Sequence, residues 1–152
     1  MRLEKYIKDF EQFLPQYDFL NHAVSKGSVG WHVEHTLLTL DRVIEALKSS
    51  VAKDYKWKFN LIRIIVLTTK KIPRGRAQSP DVVVPKGKIT EETLKVHIDQ
   101  TIEKMKELNS IDPNQYFRHP FFGNLKLKQT VKFLEIHTNH HLKIVNDILK
   151  AH

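Results

Sequence analysis

Nine histidines occur in the 152 residues, and several of them cluster near the C-terminus. A helix is predicted there, and at 100° per residue His137 and His141 project one turn apart onto its apolar side, whereas His140 lies at the edge. Buried imidazoles are costly unless they are hydrogen-bonded or bind a metal ion. The i, i+4 spacing lets both rings reach one ion, which indicates a metal site. The alternative is a pair of core histidines bonded to nearby polar groups.

A second helix offers a further candidate ligand, His35. This residue lies off the main apolar stripe of its helix, on a second face that it shares with Trp31, Leu38 and Arg42. A helix that is apolar on two sides contacts two neighbours, so this face can look toward the last helix. His32 falls between the two faces and is the weaker candidate. An ordinary histidine at the edge of the helix is the alternative for His35.

The elements that must position these histidines are predicted as helices, because their apolar side chains recur three and four residues apart. Ser28 is predicted to cap the second helix. Thr90 is predicted to cap the fourth, whose first turn holds Glu91 and Glu92 at the positive end of the helix dipole. The predicted helices cover about residues 3–20, 28–50, 57–68, 90–108 and 127–150.

Residues 57–68 are ambiguous, since a run rich in β-branched side chains also suits a buried strand. No other segment is predicted to offer that strand a partner, and a lone strand leaves its backbone groups unsatisfied, so a helix is predicted. Residues 69–89 and 109–125 are predicted as two long loops. The expected fold is therefore all-α, with four principal helices and one shorter helix in a single domain over residues 1–152.

Two motifs resemble those of a known family. Residues 29–35, Val-Gly-Trp-His-Val-Glu-His, resemble the Trp-x-x-x-His opening of the second helix in the DinB-like superfamily. Residues 137–141, His-Thr-Asn-His-His, resemble the His-x-x-x-His of its last helix. Residues 116–123 and 72–76 are similar to one branch of that superfamily. The resemblance covers nearly the whole chain.

This resemblance implies a four-helix bundle, often a homodimer, that holds a divalent metal ion with three histidines. Carried over residue by residue, the ligands are His35, His137 and His141. Zinc, nickel and iron(II) all suit imidazole ligands, and the ligand type does not choose among them. Some members are thiol-dependent transferases or isomerases, which implies a small-molecule substrate. Because the chain has no cysteine, a low-molecular-weight thiol would have to supply the sulfur.

Three neutral imidazoles leave the ion an open position, as in catalytic sites. Such an ion can activate a bound water, polarise a carbonyl or bind a thiolate, so a metal-dependent transferase or hydrolase is expected. No general base is identified, because the three acidic residues of the second helix, Glu34, Asp41 and Glu45, project away from its histidine face. His119, in a proline-flanked turn, is the remaining candidate for a catalytic residue. A role in capping or packing that turn is the alternative.

The distribution of positive charge supplies a rival hypothesis. The chain has a formal net charge of +8, and the loop at residues 69–89 carries six lysines and arginines against Asp81 alone. Such a loop could contact a nucleic-acid backbone, attract an anionic substrate toward the metal, or simply be solvated. Nucleic-acid binding is the weaker hypothesis, because the loop has neither interleaved aromatic residues nor a recognition helix. A metal-binding structural protein without catalysis is a further alternative.

The composition excludes several other classes of protein. Hydrophobic residues make up 41% and charged residues 28% of the chain, as in ordinary globular proteins. No apolar run is long enough to span a membrane, so no membrane partner is expected. The absence of cysteine excludes disulfides, thiolate ligands and a cysteine nucleophile. It also suits a reducing compartment, and a cytoplasmic location is predicted.

Overall fold

The computed structural model describes residues 2–75 and 78–150 of the chain. Within that part the architecture is mainly helical, which confirms the predicted all-α class. None of its helices is long and apolar enough to cross a membrane. The α-helices are α1 (Arg2–Lys8), α2 (Val29–Ser49), α3 (Leu61–Thr69), α4 (Glu91–Met105) and α5 (Leu127–Lys150).

The helices begin at the predicted caps. The Ser28 hydroxyl accepts a hydrogen bond from the Trp31 N–H at 3.2 Å, which starts α2. At the start of α4, the Thr90 hydroxyl accepts from the Thr93 N–H at 3.2 Å, and the Thr93 hydroxyl accepts from the Thr90 N–H at 3.0 Å. These reciprocal bonds form a capping box, which satisfies two backbone donors that the first helical turn leaves free.

The N-terminal helix is shorter than predicted. It ends at Lys8 rather than near residue 20, and the chain continues as a 3-10 helix at Glu11–Gln16. Pro15 lies in this second segment, and a proline has no N–H to donate to an α-helical hydrogen bond. The apolar side chains still point inward as their spacing predicts, since Leu3 and Leu14 are both buried.

The predicted loop at residues 109–125 contains a β-hairpin instead. Its strands are β1 (Tyr116–His119) and β2 (Gly123–Lys126), which pair antiparallel. At the end of the turn Gly123 has a φ of 70°, a left-handed conformation that glycine adopts without strain. The segment predicted as a loop over residues 109–125 therefore includes two strands. The two strands pair with each other, however, and the segment predicted as a helix over 57–68 does form helix α3, beginning at Leu61.

Helix packing brings the histidine-bearing elements together. Helix α2 packs against α4 and α5, and α1 also packs against both α4 and α5, while α3 contacts α5. The core between them is apolar and includes Leu37, Ile44, Leu134 and Ile148. Because α2 lies directly against α5, the side chains on their facing surfaces meet in the interior.

Candidate metal centre

Helices α2 and α5 bring three predicted histidines to one point. The ligand-capable nitrogens of His35, His137 and His141 all lie within 4.8 Å of one another. The ring centroids are 5.3 Å apart for His35 and His137, 4.8 Å for His35 and His141, and 4.6 Å for the two histidines of α5. His35 and His141 are buried and His137 is half-buried. The two faces that helical projection assigned to these residues therefore face each other.

A backbone carbonyl fixes the orientation of His35. The Nδ1–H of this ring donates to the carbonyl oxygen of Val83 at 2.8 Å. Val83 ends a 3-10 turn, Asp81–Val83, that packs against α2. Because the proton is on Nδ1, the lone pair of Nε2 is free to bind a ligand. Metal-binding histidines commonly donate their other N–H to a carbonyl or carboxylate in this way.

A chain of hydrogen bonds leads from His141 toward the surface. The Nδ1 atoms of His141 and His32 are 2.9 Å apart, so one of them donates and the other accepts. The Nε2 of His32 is 2.9 Å from the Ser25 hydroxyl, which also accepts from the Gly27 N–H at 3.1 Å. When His141 donates, its Nε2 lone pair is free for a ligand, and His32 donates in turn to Ser25. His32 thus orients His141, a role that the sequence did not reveal.

The third histidine has no comparable partner. The Nδ1 of His137 is shielded from solvent and makes no hydrogen bond to the part of the chain that the structure describes. A buried polar atom without a partner costs about 1–3 kcal/mol. A cation bound to this Nδ1 would remove the cost, because it would give the unpartnered nitrogen a ligand bond.

Burial keeps these rings uncharged. It holds the pKa values of His137 and His141 well below the ordinary histidine value, and the neighbouring imidazoles lower them further. Burial also lowers the pKa of His35, although the Val83 carbonyl opposes that shift. The pKa of His32 falls to about 4, again chiefly through burial. The rings are therefore neutral at pH 7, which is the form that binds a metal ion.

Residues 14–145 match a protein family described as the DinB superfamily. The matched region covers most of the chain and includes all three histidines. The chain belongs to the DinB superfamily. No curated protein and no solved structure gave a match. DinB superfamily members are helical proteins that bind divalent metals, so the family agrees with the chemistry of the three histidines.

In this DinB superfamily chain, aromatic rings enclose the centre. The Trp31 ring lies parallel to that of His35, with the centroids 4.9 Å apart. The indole has room because residue 27 is glycine: a Cβ on Gly27 would lie 2.8 Å from the Cε3 of Trp31. Phe133 lies against His137, with the centroids 5.6 Å apart. Such apolar walls lower the local dielectric and strengthen any electrostatic interaction inside.

The acidic residues of α2 face away from the centre, as predicted. Glu34 and Asp41 bind the two ring nitrogens of His97 on α4, at 2.9 and 3.0 Å. Glu45 pairs with Lys104 at 3.0 Å. Within residues 2–75 and 78–150, the ligand group contains histidines alone. Helix α2 therefore supplies no carboxylate as a general base.

His119, the sequence candidate for a catalytic residue, is built into the hairpin turn. Its Nδ1 accepts hydrogen bonds from the backbone N–H groups of Phe121 and Phe122, at 3.1 and 3.2 Å. The ring stacks on Phe122 with the centroids 4.0 Å apart, and burial lowers the pKa of His119 to about 4. These contacts favour the turn-capping alternative over a catalytic role.

The described part of the basic loop, residues 69–89, contacts the centre through Val83 and reaches α5 through Arg74. The guanidinium of Arg74 donates to Asp147 of α5 at 2.7 Å. Burial, together with the nearby charge of Arg74, lowers the pKa of His140 to about 4. Arg76, the other arginine that was predicted to contribute to this loop, lies outside the described residues. Arg74 thus lies near His140 and His32, which neighbour the three histidines, and its charge is paired with Asp147.

Proposed function

We propose that His35, His137 and His141 hold one divalent metal ion. The observation that carries this proposal is the convergence of three neutral imidazoles within 4.8 Å, one of them with an unpartnered buried nitrogen. Without an ion, the desolvated Nδ1 of His137 has no hydrogen bond within the described residues to offset its lost hydration. The hydrogen bond from His35 to Val83 supports the assignment, because it leaves the other nitrogen of that ring free.

The proposed ion is zinc, nickel or iron(II). All three suit imidazole ligands, whereas magnesium and calcium prefer oxygen ligands, and the three-histidine group contains no carboxylate within the described residues. A site with three protein ligands leaves at least one position for a water or a substrate. This feature favours a catalytic over a purely structural role.

The proposed activity is metal-dependent group transfer or hydrolysis on a small molecule. When bound, the ion supplies Lewis acidity and lowers the pKa of a coordinated water or thiol. The protein's own contribution is to hold the ligand rings through Val83 and His32, and to wall one side with Trp31. Arg74 lies near His140 and pairs with Asp147, so an anionic substrate or a thiolate would share this guanidinium with that carboxylate. A cytoplasmic location remains a prediction.

Metal content tests the ligand assignment directly. Untagged protein purified without chelator is analysed by plasma mass spectrometry, and about one ion per chain is expected. His35→Ala, His137→Ala and His141→Ala should each retain less than about a tenth of that amount. His22→Ala is the matched control, because His22 lies in an exposed turn and should leave the metal content unchanged. Metal-free wild-type protein, or full metal in all three variants, would contradict the proposal.

A cobalt(II)-substituted protein separates a catalytic from a structural ion. An open coordination position should let added thiols such as 2-mercaptoethanol bind the ion and produce a sulfur-to-cobalt absorption band in the near ultraviolet. A titration with perchlorate, which coordinates metal ions poorly, at equal ionic strength controls for a general salt effect. A cobalt spectrum that no thiol, azide or water-displacing anion changes would indicate a closed site and favour the structural alternative.

A further inference from the structure

Helix α3 turns its aliphatic side chains outward and its arginine inward. Arg63 is only 4% exposed, whereas four aliphatic side chains of the same helix are between 45% and 58% exposed: Leu61, Ile62, Ile64 and Ile65. At 100° per residue these four lie within one arc of about 160°, so they form a continuous face. A surface helix of a globular protein normally turns its apolar stripe to the core. The outward face of α3 instead is apolar and carries no charged side chain.

The hydrogen bonds of Arg63 fix this orientation. Its guanidinium donates to the backbone carbonyls of Phe122 at 3.3 Å, Asn124 at 3.4 Å and Lys58 at 2.6 Å. At the start of the helix, the Asn60 side chain accepts from the Arg63 N–H at 2.8 Å. Rotating α3 to bury its isoleucines would break these bonds and leave a buried charge without partners. The fold therefore holds the aliphatic face outward.

Aromatic side chains extend the apolar surface beyond the helix. Trp57 and Phe59 just precede α3 and are 65% and 68% exposed, and Phe121 is 52% exposed. Phe121 lies beside the start of α3, because its carbonyl accepts from the Asn60 side chain at 2.8 Å. We call the seven residues the α3 patch: Trp57, Phe59, Leu61, Ile62, Ile64, Ile65 and Phe121. Since a large side chain presents on the order of 200 Å² when fully exposed, the patch presents about 800 Å² of apolar surface.

Positive charge borders the α3 patch at both ends of the helix. Residues 55–80 contain seven lysines and arginines and no aspartate or glutamate. Four of the lysines are exposed on either side of α3, and none of the four pairs with a carboxylate of the described residues: Lys56, Lys58, Lys70 and Lys71. A lysine can lay its aliphatic stem along an apolar surface and extend its ammonium group beyond it. The patch is thus flanked by free cations.

The positive surface continues from the end of α3 onto α5. Lys70, the C-cap of α3, lines a cleft of about 290 Å³. The cleft has three further cationic side chains, Arg2, Lys128 and Lys132, against one carboxylate among the described residues, Glu135. Lysine and arginine form strong charge-assisted hydrogen bonds with phosphate oxygens. The cleft therefore suits an anionic headgroup next to the apolar patch.

We infer that the α3 patch is a docking surface for the anionic face of a lipid bilayer. The aliphatic and aromatic side chains enter the boundary between headgroups and acyl chains, and the bordering lysines bind anionic headgroups. Aromatic side chains such as Trp57 are favoured at that boundary. An apolar area of about 800 Å² exceeds the largest patch of a typical monomer, which indicates a surface that is covered in use.

This inference revises one expectation from the sequence. The sequence predicts no membrane partner because no apolar run is long enough to span a bilayer, and none of the described helices is long and apolar enough to do so. A peripheral surface needs no such run, since it lies in the interface rather than across the bilayer. The metal centre plays no part in the inference, because α3 carries none of the three histidines.

The charge pattern favours a lipid surface over a protein partner. A second copy related by a twofold axis would set the same lysines near their counterparts, and their like charges would repel one another. Most protein surfaces carry charges of both signs, whereas the border of the α3 patch is positive at both ends. An anionic bilayer offers negative charge on every side of an inserted patch, which matches this border.

Co-sedimentation of the full chain with vesicles tests the inference. At about 100 mM salt, wild-type protein should bind vesicles with about 30 mol% phosphatidylserine at least 10-fold more tightly than vesicles of phosphatidylcholine alone. Emission of Trp57 should shift to shorter wavelength on binding, because the indole leaves water. Trp57→Phe should remove the shift, since the other tryptophan, Trp31, is stacked on His35.

One pair of variants tests the apolar contact. Ile65→Glu should weaken vesicle binding by at least about 10-fold, because a carboxylate would enter the apolar boundary and face anionic headgroups. Val96→Glu is the matched control: Val96 on α4 is 50% exposed, as is Ile65, but lies outside the α3 patch. Both variants make the same change in net charge, so the control should bind as the wild type does. Unchanged circular dichroism would show that each variant is folded.

A second pair separates the border of the patch from general positive charge. Lys56→Glu combined with Lys58→Glu should weaken binding by about 30-fold or more. The fold uses the backbone carbonyls of these lysines, which accept from Asn124 and Arg63, so the substitutions keep those bonds. The control changes two exposed lysines of the basic loop at the same spacing, Lys86→Glu with Lys88→Glu, and should weaken binding by less than about 5-fold.

Three results would overturn the inference. The first is wild-type protein that does not bind phosphatidylserine vesicles, or binding that Ile65→Glu leaves unchanged. The second is equal weakening by both lysine pairs, which would show a general effect of net charge. The third is protein that ignores vesicles but self-associates in a way that Ile65→Glu abolishes, which would assign the α3 patch to a protein contact.

Discussion

The two carboxylates that bind His97 predict that the folded protein loses stability at alkaline pH. A single substitution at His97 should remove this pH dependence. Burial by itself lowers the pKa of His97, but the hydrogen bonds to Asp41 and Glu34 outweigh it and raise the pKa to about 9. The imidazolium thus joins α4 to two residues of α2 that lie two turns apart. His97→Gln keeps a side chain of similar size but removes the charge.

The contribution of charged His97 to the free energy of unfolding follows from the change in its pKa. Raising a histidine pKa from 6.5 to about 9 corresponds to roughly 3 kcal/mol of preferential stabilisation of the charged form. The Glu34 and Asp41 side chains are 22% and 26% exposed, so solvent screening reduces the expected contribution to about 1–2 kcal/mol. Because the folded-state pKa is raised, this stability is fully present below pH 6.5. It should decline between pH 6.5 and 9 and be lost above that range.

Differential scanning calorimetry between pH 6 and 10 measures this contribution. Wild-type protein should melt about 3–7 °C above His97→Gln at pH 6, and the gap should close near pH 10. His22→Gln, in an exposed turn, should follow the wild-type curve throughout. Melting curves for wild type and His97→Gln that stay parallel across the range would refute the assignment of a charged His97. A chemical-shift titration of the His97 ring should show the same midpoint near pH 9.

Three other perturbations test the centre and its supports. Chelation should lower the melting temperature by about 5–10 °C while the far-ultraviolet circular dichroism stays unchanged. Equal melting temperatures for metal-loaded and metal-free protein would show that the ion is adventitious. His32→Gln should weaken metal binding about 10–100-fold without abolishing it, whereas equal affinity would show that His32 does not orient His141. Gly30→Ala should destabilise the fold by about 1–3 kcal/mol in urea unfolding, because its Cβ would lie 2.9 Å from both the Tyr17 carbonyl and Ile89. A neutral Gly30→Ala would show that this packing can relax.

The helices were predictable because their signals are local. Helix α5, Leu127–Lys150, has the predicted extent, and α2 begins after the predicted Ser28 cap, since periodicity and capping depend on residues within one turn of each other. The hairpin at residues 116–126 was missed because strand pairing depends on a partner, and its four-residue strands have no clear alternation of apolar side chains. The N-terminal helix was extended too far, because the apolar spacing continues through Pro15 although the α-helical hydrogen bonding does not.

The centre was predictable to the extent that helical geometry determines it. Projection placed His137 and His141 on one face and offered His35 as a further candidate, and the family resemblance joined the three as ligands. Neither could identify what holds these rings. The acceptor for His35 is the backbone carbonyl of Val83, which carries no side-chain signal. The partner of His141 is His32, and their contact depends on how closely α2 and α5 approach. Supporting contacts of this kind follow from tertiary packing, which the pattern along one helix does not encode.

Helix α2 assigns opposite electrostatic roles to two adjacent residues. Glu34 and His35 are about 100° apart around the helix, so one faces α4 and the other faces α5. The carboxylate keeps His97 charged, whereas burial lowers the pKa of His35. A histidine whose pKa is lowered by folding costs stability as the pH falls below 6.5, and one whose pKa is raised loses its contribution as the pH rises toward 9. The histidine facing α5 therefore reduces stability at acidic pH, and the loss of charge on His97 reduces it at alkaline pH. Stability should be greatest near neutral pH, where uncharged imidazoles can also bind a metal ion.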